Sequence, residues 1–173
     1  MQNAKEKTIL VVEDEPDVQL VLATALKDAG FNVMTASNGH EAYNQIKHQA
    51  PDLITLDLVM PRQSGPLLYK KLRTKPKYAD VRVIIVSAHV HDDLGQEDFK
   101  ELMKGHEFPP PNGYLEKPVN TVELVTKIGD MLDVDVSAFV GNANDESRME
   151  IMSKIRKVDQ STLDKVREVL NHN

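Results

Sequence analysis

Thr8 to Val12 is a continuous apolar segment that stops abruptly at Glu13-Asp14-Glu15. A strand solvated on one face alternates apolar and polar residues. An unbroken apolar strand needs cover on both faces, as in a parallel sheet flanked by helices. The pattern then alternates along the chain. Asp17 to Gly30 has helical spacing, with Val18, Val21, Leu22, Ala25, Leu26 and Ala29 on one stripe and Gly30 as a C-terminal stop. Asn32 to Ala36 reads as a short strand, His40 to His48 as a helix, and Leu53 to Leu56 as a strand ending at Asp57. Pro66 to Arg73 can form a helix, Val81 to Val86 a strand, Tyr114 to Leu115 a short fifth strand, and Thr121 to Leu132 a final helix. Five strands separated by helices or loops predict an α/β domain with a parallel sheet and helices on both faces.

Two regions depart from this rhythm. His89 to Asn112 is long for a crossover; it holds the helix-capable stretch Glu97 to Gly105 and then Phe108-Pro109-Pro110-Pro111. Successive prolines cannot continue a helix and favour an extended connection. Asp133 to Ser147 contains Gly141-Asn142-Ala143-Asn144, which reads as a linker. Beyond it, Ile151, Met152, Ile155 and Val158 share one helical face, and Leu163, Val166 and Leu170 share another. The expected organisation is a main domain over residues 1–136 and a linker with a helical extension over 137–173.

Composition narrows the function classes. The chain has no cysteine, which removes disulfides, thiolate metal sites and cysteine nucleophiles. That absence agrees with a cytoplasmic protein. No apolar run approaches the ~18 residues of a spanning helix, so membrane insertion is not expected. The first apolar run is followed by acids rather than a small-residue cleavage site, which makes it a strand rather than a secretory signal. The formal charge is −6, with 21 Lys and Arg against 27 Asp and Glu. Such a balance argues against DNA binding by the chain as a whole.

Five residues fall at or just beyond the carboxyl ends of the expected strands: Glu13, Asp14, Asp57, Ser87 and Lys117. Open α/β sheets bind their ligands at that edge. Clustered carboxylates repel one another unless a cation intervenes, and Mg²⁺ prefers such hard oxygen ligands. Asp57 is a carboxylate nucleophile able to form an acyl phosphate. Lys117 supplies positive charge, and Ser87 a hydroxyl donor for a phosphoryl oxygen. Taken one at a time, the same residues have plainer readings. An acidic pair is commonly solvated surface, an aspartate can cap a helix, and a lysine is usually exposed. His89 and His91 lack a third ligand in context and do not make a metal site.

The chain resembles the response-regulator receiver family, represented by the bacterial chemotaxis regulator. The resemblance rests on Glu13-Asp14-Glu15, the stretch from Pro51 through Asp57 to Pro61, Ser87-Ala88 and Lys117-Pro118, and covers about residues 7–133. It implies a flavodoxin-like doubly wound (βα)₅ receiver domain with a short helical C-terminal extension. It also implies that Asp57 receives phosphate from a histidine kinase or a histidine phosphotransfer protein, and that autophosphatase activity accompanies acceptance. By the same resemblance Glu13, Asp14, Asp57 and the Val59 carbonyl hold Mg²⁺, Ser87 and Lys117 complete the site, and Tyr114 is the aromatic switch. A cis Lys117-Pro118 bond is a further implication. Gln63-Ser64-Gly65 departs from the frequent Asp-Gly ending, with Gly65 still available for the turn.

Output is expected through altered protein association, with a homodimer or a downstream protein as partner. A phosphorylation-independent scaffold and a phosphate-relay intermediate are the alternatives. Residues 137–173 hold six basic and six acidic side chains, which gives no electrostatic basis for DNA binding. The extension could pack on the domain, mediate association, or lead into a segment beyond this sequence.

Overall fold

The structure, a computed structural model, describes residues 2–61, 64–87 and 108–143. The chain divides into two compact units, Met1–Val136 and Ser137–Asn173. In the first, the described strands and α-helices are β1 (Thr8–Val12), α1 (Pro16–Asp28), β2 (Asn32–Ala36), α2 (Gly39–His48), β3 (Leu53–Asp57), α3 (Ser64–Arg73), β4 (Arg82–Ser87), β5 (Gly113–Glu116) and α4 (Thr121–Leu132). The strands form one parallel sheet in the order β2-β1-β3-β4-β5. This is the doubly wound architecture expected from the alternation of buried strands and helices.

Every residue of β1 and β3 is buried, because helices cover both faces of the sheet. Leu10, Val12, Ile54, Leu56, Val83 and Ile85 belong to one apolar cluster with Ala42 and Ile46 of α2 and Leu68, Tyr69 and Leu72 of α3. Ile9 and Val11, equally buried, alternate with Leu10 and Val12 and so face the other side. On that side α1 and α4 pack against each other. Burying each Leu, Ile or Val contributes about 1.5–3 kcal/mol, so the central strands anchor the fold.

Helix boundaries follow local chemistry. Pro16 starts α1, where its missing N–H would be unpaired anyway. Gly30 follows the helix with φ +94°, the left-handed conformation that glycine adopts without strain. Asn38 caps α2 by accepting from the Glu41 N–H at 2.9 Å. Asn120 caps α4 by accepting from the N–H groups of Val122 and Glu123.

Two expectations are corrected. Val21 does not share the buried stripe of α1: it is exposed, as is Leu20, while Ala23 joins Leu22, Ala25 and Leu26 inside. Successive helical residues turn by ~100°, so a face centred on Leu22 and Leu26 leaves Val21 at its edge. Residues 137–143 are helical, so Gly141-Asn142-Ala143 is not an irregular linker. Weak helix formers cost at most ~1 kcal/mol each and do not forbid a helix. The expected helix at Glu97 to Gly105 and the two apolar faces between Ile151 and Leu170 lie outside the described residues. Pro109 and Pro110 carry no regular structure.

Candidate functional site

Parallel register brings the strand-end residues to one edge. Val12 lies level with Ala36 and Leu56, Asp57 with Val86, and Ser87 with Glu116. Glu13 is therefore one step beyond β1, Asp57 and Ser87 close β3 and β4, and Lys117 is the first residue after β5. Glu13, Asp57 and Ser87 are all buried.

Lys117 is the hub. Its Nζ donates to Asp57 Oδ2 at 2.7 Å and to Glu13 Oε1 at 3.0 Å, and reaches Glu15 Oε1 at 3.4 Å. Glu13 Oε2 is also within ion-pair range, at 2.9 Å. The second Asp57 oxygen, Oδ1, accepts the Val59 N–H at 2.8 Å. On the backbone, the Lys117 N–H donates to the Ser87 carbonyl at 3.1 Å, and Lys117-Pro118 is cis. Gln19 of α1 donates to the carbonyls of Glu13 and Ala36, tying the ends of β1 and β2 together.

Among the described residues the charges do not balance. Glu13, Asp14 and Asp57 each offer an oxygen lying within 4.8 Å of the others, and Lys117, paired with Glu13 and Asp57, is the one ammonium recorded on that group. Burial pushes the Glu13 carboxyl above its ordinary range and the Asp57 charge adds to this; Lys117 pulls the other way. Burial by itself lowers Lys117, yet its hydrogen bonds to Asp57 and Glu13 outweigh that and hold the amine well above its usual range. The donor set suits a hard divalent cation: three carboxylates converge, and buried Glu13 Oε2, though near Lys117, accepts no directed hydrogen bond. Glu13, Asp14 and Asp57 could hold such an ion.

Of the residues singled out from sequence, Glu13 and Asp57 meet through Lys117, and Asp14 brings a carboxylate oxygen within 4.8 Å of both acids. Ser87 stands at the same edge. Val59 contributes its N–H to Asp57, with its side chain exposed. Tyr114 lies level with Ile85 and is half-exposed; burial pushes its phenol up, with Tyr69 adding to the effect. His89 and His91 lie outside the described residues. Two contributions were missed. Glu15 is a third carboxylate on Lys117, signalled only by its place in the acidic run. Gly65 is needed for close approach rather than for an unusual turn: a Cβ there would collide with the Asp57 carbonyl oxygen and come within 2.9 Å of Leu58 Cα. The first turn of α3 thus rests directly on the strand that carries Asp57.

Known proteins share this architecture. The pattern of the response regulator receiver domain matches residues 9–129. The phosphate regulon transcriptional regulatory protein PhoB of Pseudomonas aeruginosa is 34% identical over 122 residues, 70% of this chain and 50% of that protein. The chain spans about half the length of the first curated relatives it matches. Among solved structures, a putative response regulator from Chloroflexus aurantiacus is 29% identical with a TM-score of 0.63, covering 73% of this chain and 98% of that one. The response regulator TrrA of Thermotoga maritima, solved in complex with Mg²⁺ and BeF, is 31% identical with a TM-score of 0.58, covering 72% and 97%. With the fold, the strand-end carboxylates and the matched region in agreement, the chain belongs to the response regulator receiver domain family.

Proposed function

We propose that Asp57 accepts a phosphoryl group from the phosphohistidine of a histidine kinase or a histidine phosphotransfer protein, and that the modification changes protein association. The observation that carries this reading is the contact of Lys117 Nζ with Asp57 Oδ2 at 2.7 Å, beside the convergent oxygens of Glu13 and Asp14. An Asp57 carboxylate oxygen attacks phosphorus, the P–N bond to the donor imidazole breaks, and an acyl phosphate forms. Lys117 offsets charge on the acceptor and on the incoming phosphoryl oxygens. Ser87 supplies a hydroxyl to one of those oxygens, and the Val59 N–H fixes the carboxylate's orientation.

Glu13, Asp14, Asp57 and the Val59 carbonyl would hold Mg²⁺. When bound, that ion supplies neutralisation of phosphoryl charge during transfer. The phosphoryl group alters local charge by about −1.5 to −2, enough to reorganise neighbouring hydrogen bonds. Tyr114, half-exposed on β5, is the group proposed to turn as Ser87 engages the phosphate. Residues 1–136 act as the receiver, and 137–173 as an association segment for a second copy or a downstream protein.

PhoB is named as a transcriptional regulator, so output on DNA is the rival for that last step; the balanced charge of 137–173 favours a protein partner. No helix among the described residues is long and apolar enough to cross a membrane. Incubation with acetyl phosphate and Mg²⁺, followed by intact-mass measurement, tests the reading. One phosphoryl addition is expected, absent after metal chelation. An unchanged mass at saturating Mg²⁺ contradicts it and leaves a phosphorylation-independent scaffold.

A further inference from the structure

Six of the 21 lysines and arginines fall between Lys70 and Arg82, where Asp80 is the one acid, in a chain whose net charge is −6. Part of this charge is gathered by two aromatic rings. Tyr43 of α2 and Tyr78 meet edge to face with centroids 6.2 Å apart. Lys71 of α3 sits 3.8 Å over the Tyr43 ring, Lys47 of α2 lies 5.6 Å from it, and Lys77 lies 5.3 Å from the Tyr78 ring. All three lysines are exposed, and among the described residues none has a carboxylate within ion-pair distance. Stacking on rings holds the amines in place without neutralising them.

A cleft of about 680 Å³ runs beside this cluster between α2 and α3. Pro61, Leu67 and Leu68 are its apolar lining, and Tyr43, His40, Lys71 and Asp14 line it as well. Leu67 is 52% exposed, so an apolar side chain entering the cleft would gain burial. Positive charge next to an apolar slot suits a ligand that is itself both acidic and apolar. Single-stranded nucleic acid is the poorer match. It binds by stacking bases on open aromatic faces, but Tyr78 is buried and Lys71 covers a face of Tyr43.

We propose that the α2–α3 cleft and the Lys47, Lys71 and Lys77 cluster dock an acidic protein segment bearing a bulky apolar side chain. The acids would pair with the unneutralised amines, while the apolar group enters between Leu67 and Tyr43. Apart from Asp14, which lines the cleft and is also among the residues proposed to hold Mg²⁺, the surface is built from residues outside the acceptor chemistry, and binding to it does not require Asp57 to be phosphorylated.

The test is a titration of the full ¹⁵N-labelled chain with three probes. They are a short glutamate-rich peptide with a central leucine–phenylalanine pair, the same peptide with serines in place of that pair, and a single-stranded oligouridylate. The first peptide should shift amide signals over residues 37–43 and 67–77, and bind more weakly as salt rises. Affinity should fall about tenfold in the double variant Lys47→Gln and Lys71→Gln, and be kept when both are replaced by arginine. Serine substitution in the peptide should weaken binding by a comparable factor. If the glutamine pair disturbs the native spectrum, Lys77→Gln alone should still weaken binding about threefold. Signal shifts that map away from the cleft overturn the proposal. So does affinity indifferent to these lysines, or tighter binding of the oligouridylate.

Discussion

The sheet carries a lysine–aspartate pair at each end, and the two behave differently. At the amino end Lys7 Nζ meets Asp52 Oδ1 at 3.3 Å, and Asp52 Oδ2 accepts the Thr8 N–H at 2.8 Å. One cation faces one anion, both partly open to water, and the pair closes off the start of β1. At the carboxyl end Lys117 meets Asp57 at 2.7 Å, but Glu13 and Glu15 compete for the same amine and the surroundings are drier. A balanced, solvated pair is a structural fastening worth little. Among the described residues the carboxyl end is a buried group with more anion than cation, which is costly to keep, and that excess fits the proposed handling of another cation and a phosphoryl group.

Removing each lysine should separate the two ends most sharply. In metal-free urea unfolding, Lys117→Met is expected to cost about 3 kcal/mol, because Asp57 and Glu13 lose the cation that compensates them in a buried site. Lys7→Met should cost less than about 1 kcal/mol, the range of exposed pairs. Equal losses would mean that the two ends are electrostatically alike.

Magnesium should act at one end only. A ligand present at ~100 times its dissociation constant stabilises the folded state by about 2.7 kcal/mol. Saturating Mg²⁺ should raise the unfolding midpoint of the native chain and of Asp52→Ala, and leave Asp14→Ala nearly unmoved. A gain that survives Asp14→Ala would place the ion elsewhere.

The smallest effect concerns alkaline pH in the absence of metal. Tyr69, Tyr114 and Lys117 are each held above their ordinary values of 10.0, 10.0 and 10.5; burial is the first cause for the tyrosines, and for Lys117 hydrogen bonds to Asp57 and Glu13 overcome the opposing effect of burial. A group raised in the folded state contributes stability that is complete below its unfolded value and lost as pH rises through its folded value. Melting temperature should therefore decline once pH passes about 10, and the decline should be shallower when Tyr69 and Tyr114 are both phenylalanine. The Lys7–Asp52 end should contribute nothing distinctive to it.

Much of the site was legible because it lies where strands end. A continuous apolar run announces a buried parallel strand, and the residue that breaks it must emerge at the sheet's edge; Asp57 and Ser87 were found in that way. What could not be read depends on three-dimensional neighbours. Val21 looked buried by spacing alone, yet the packing of α1 is centred on Leu22 and Leu26. Gly65 looked like a turn residue, yet its role is the approach of α3 to the Asp57 carbonyl, which no local pattern encodes. The ring pair Tyr43 and Tyr78 joins residues far apart in the chain, so the gathering of Lys47, Lys71 and Lys77 was invisible until the helices were packed.

The central claim, that the crowded end of the sheet serves a nucleophilic Asp57, has a direct chemical test. After treatment with acetyl phosphate and Mg²⁺, borohydride reduces an acyl phosphate to an alcohol, converting the aspartate that carried it to homoserine, whereas a phosphoserine is untouched. Tandem mass spectrometry of the digested chain should find homoserine at position 57 and nowhere else, with no conversion in Asp57→Asn. Homoserine at Asp14 or Asp52, or phosphate recovered intact on Ser87, would contradict the assignment.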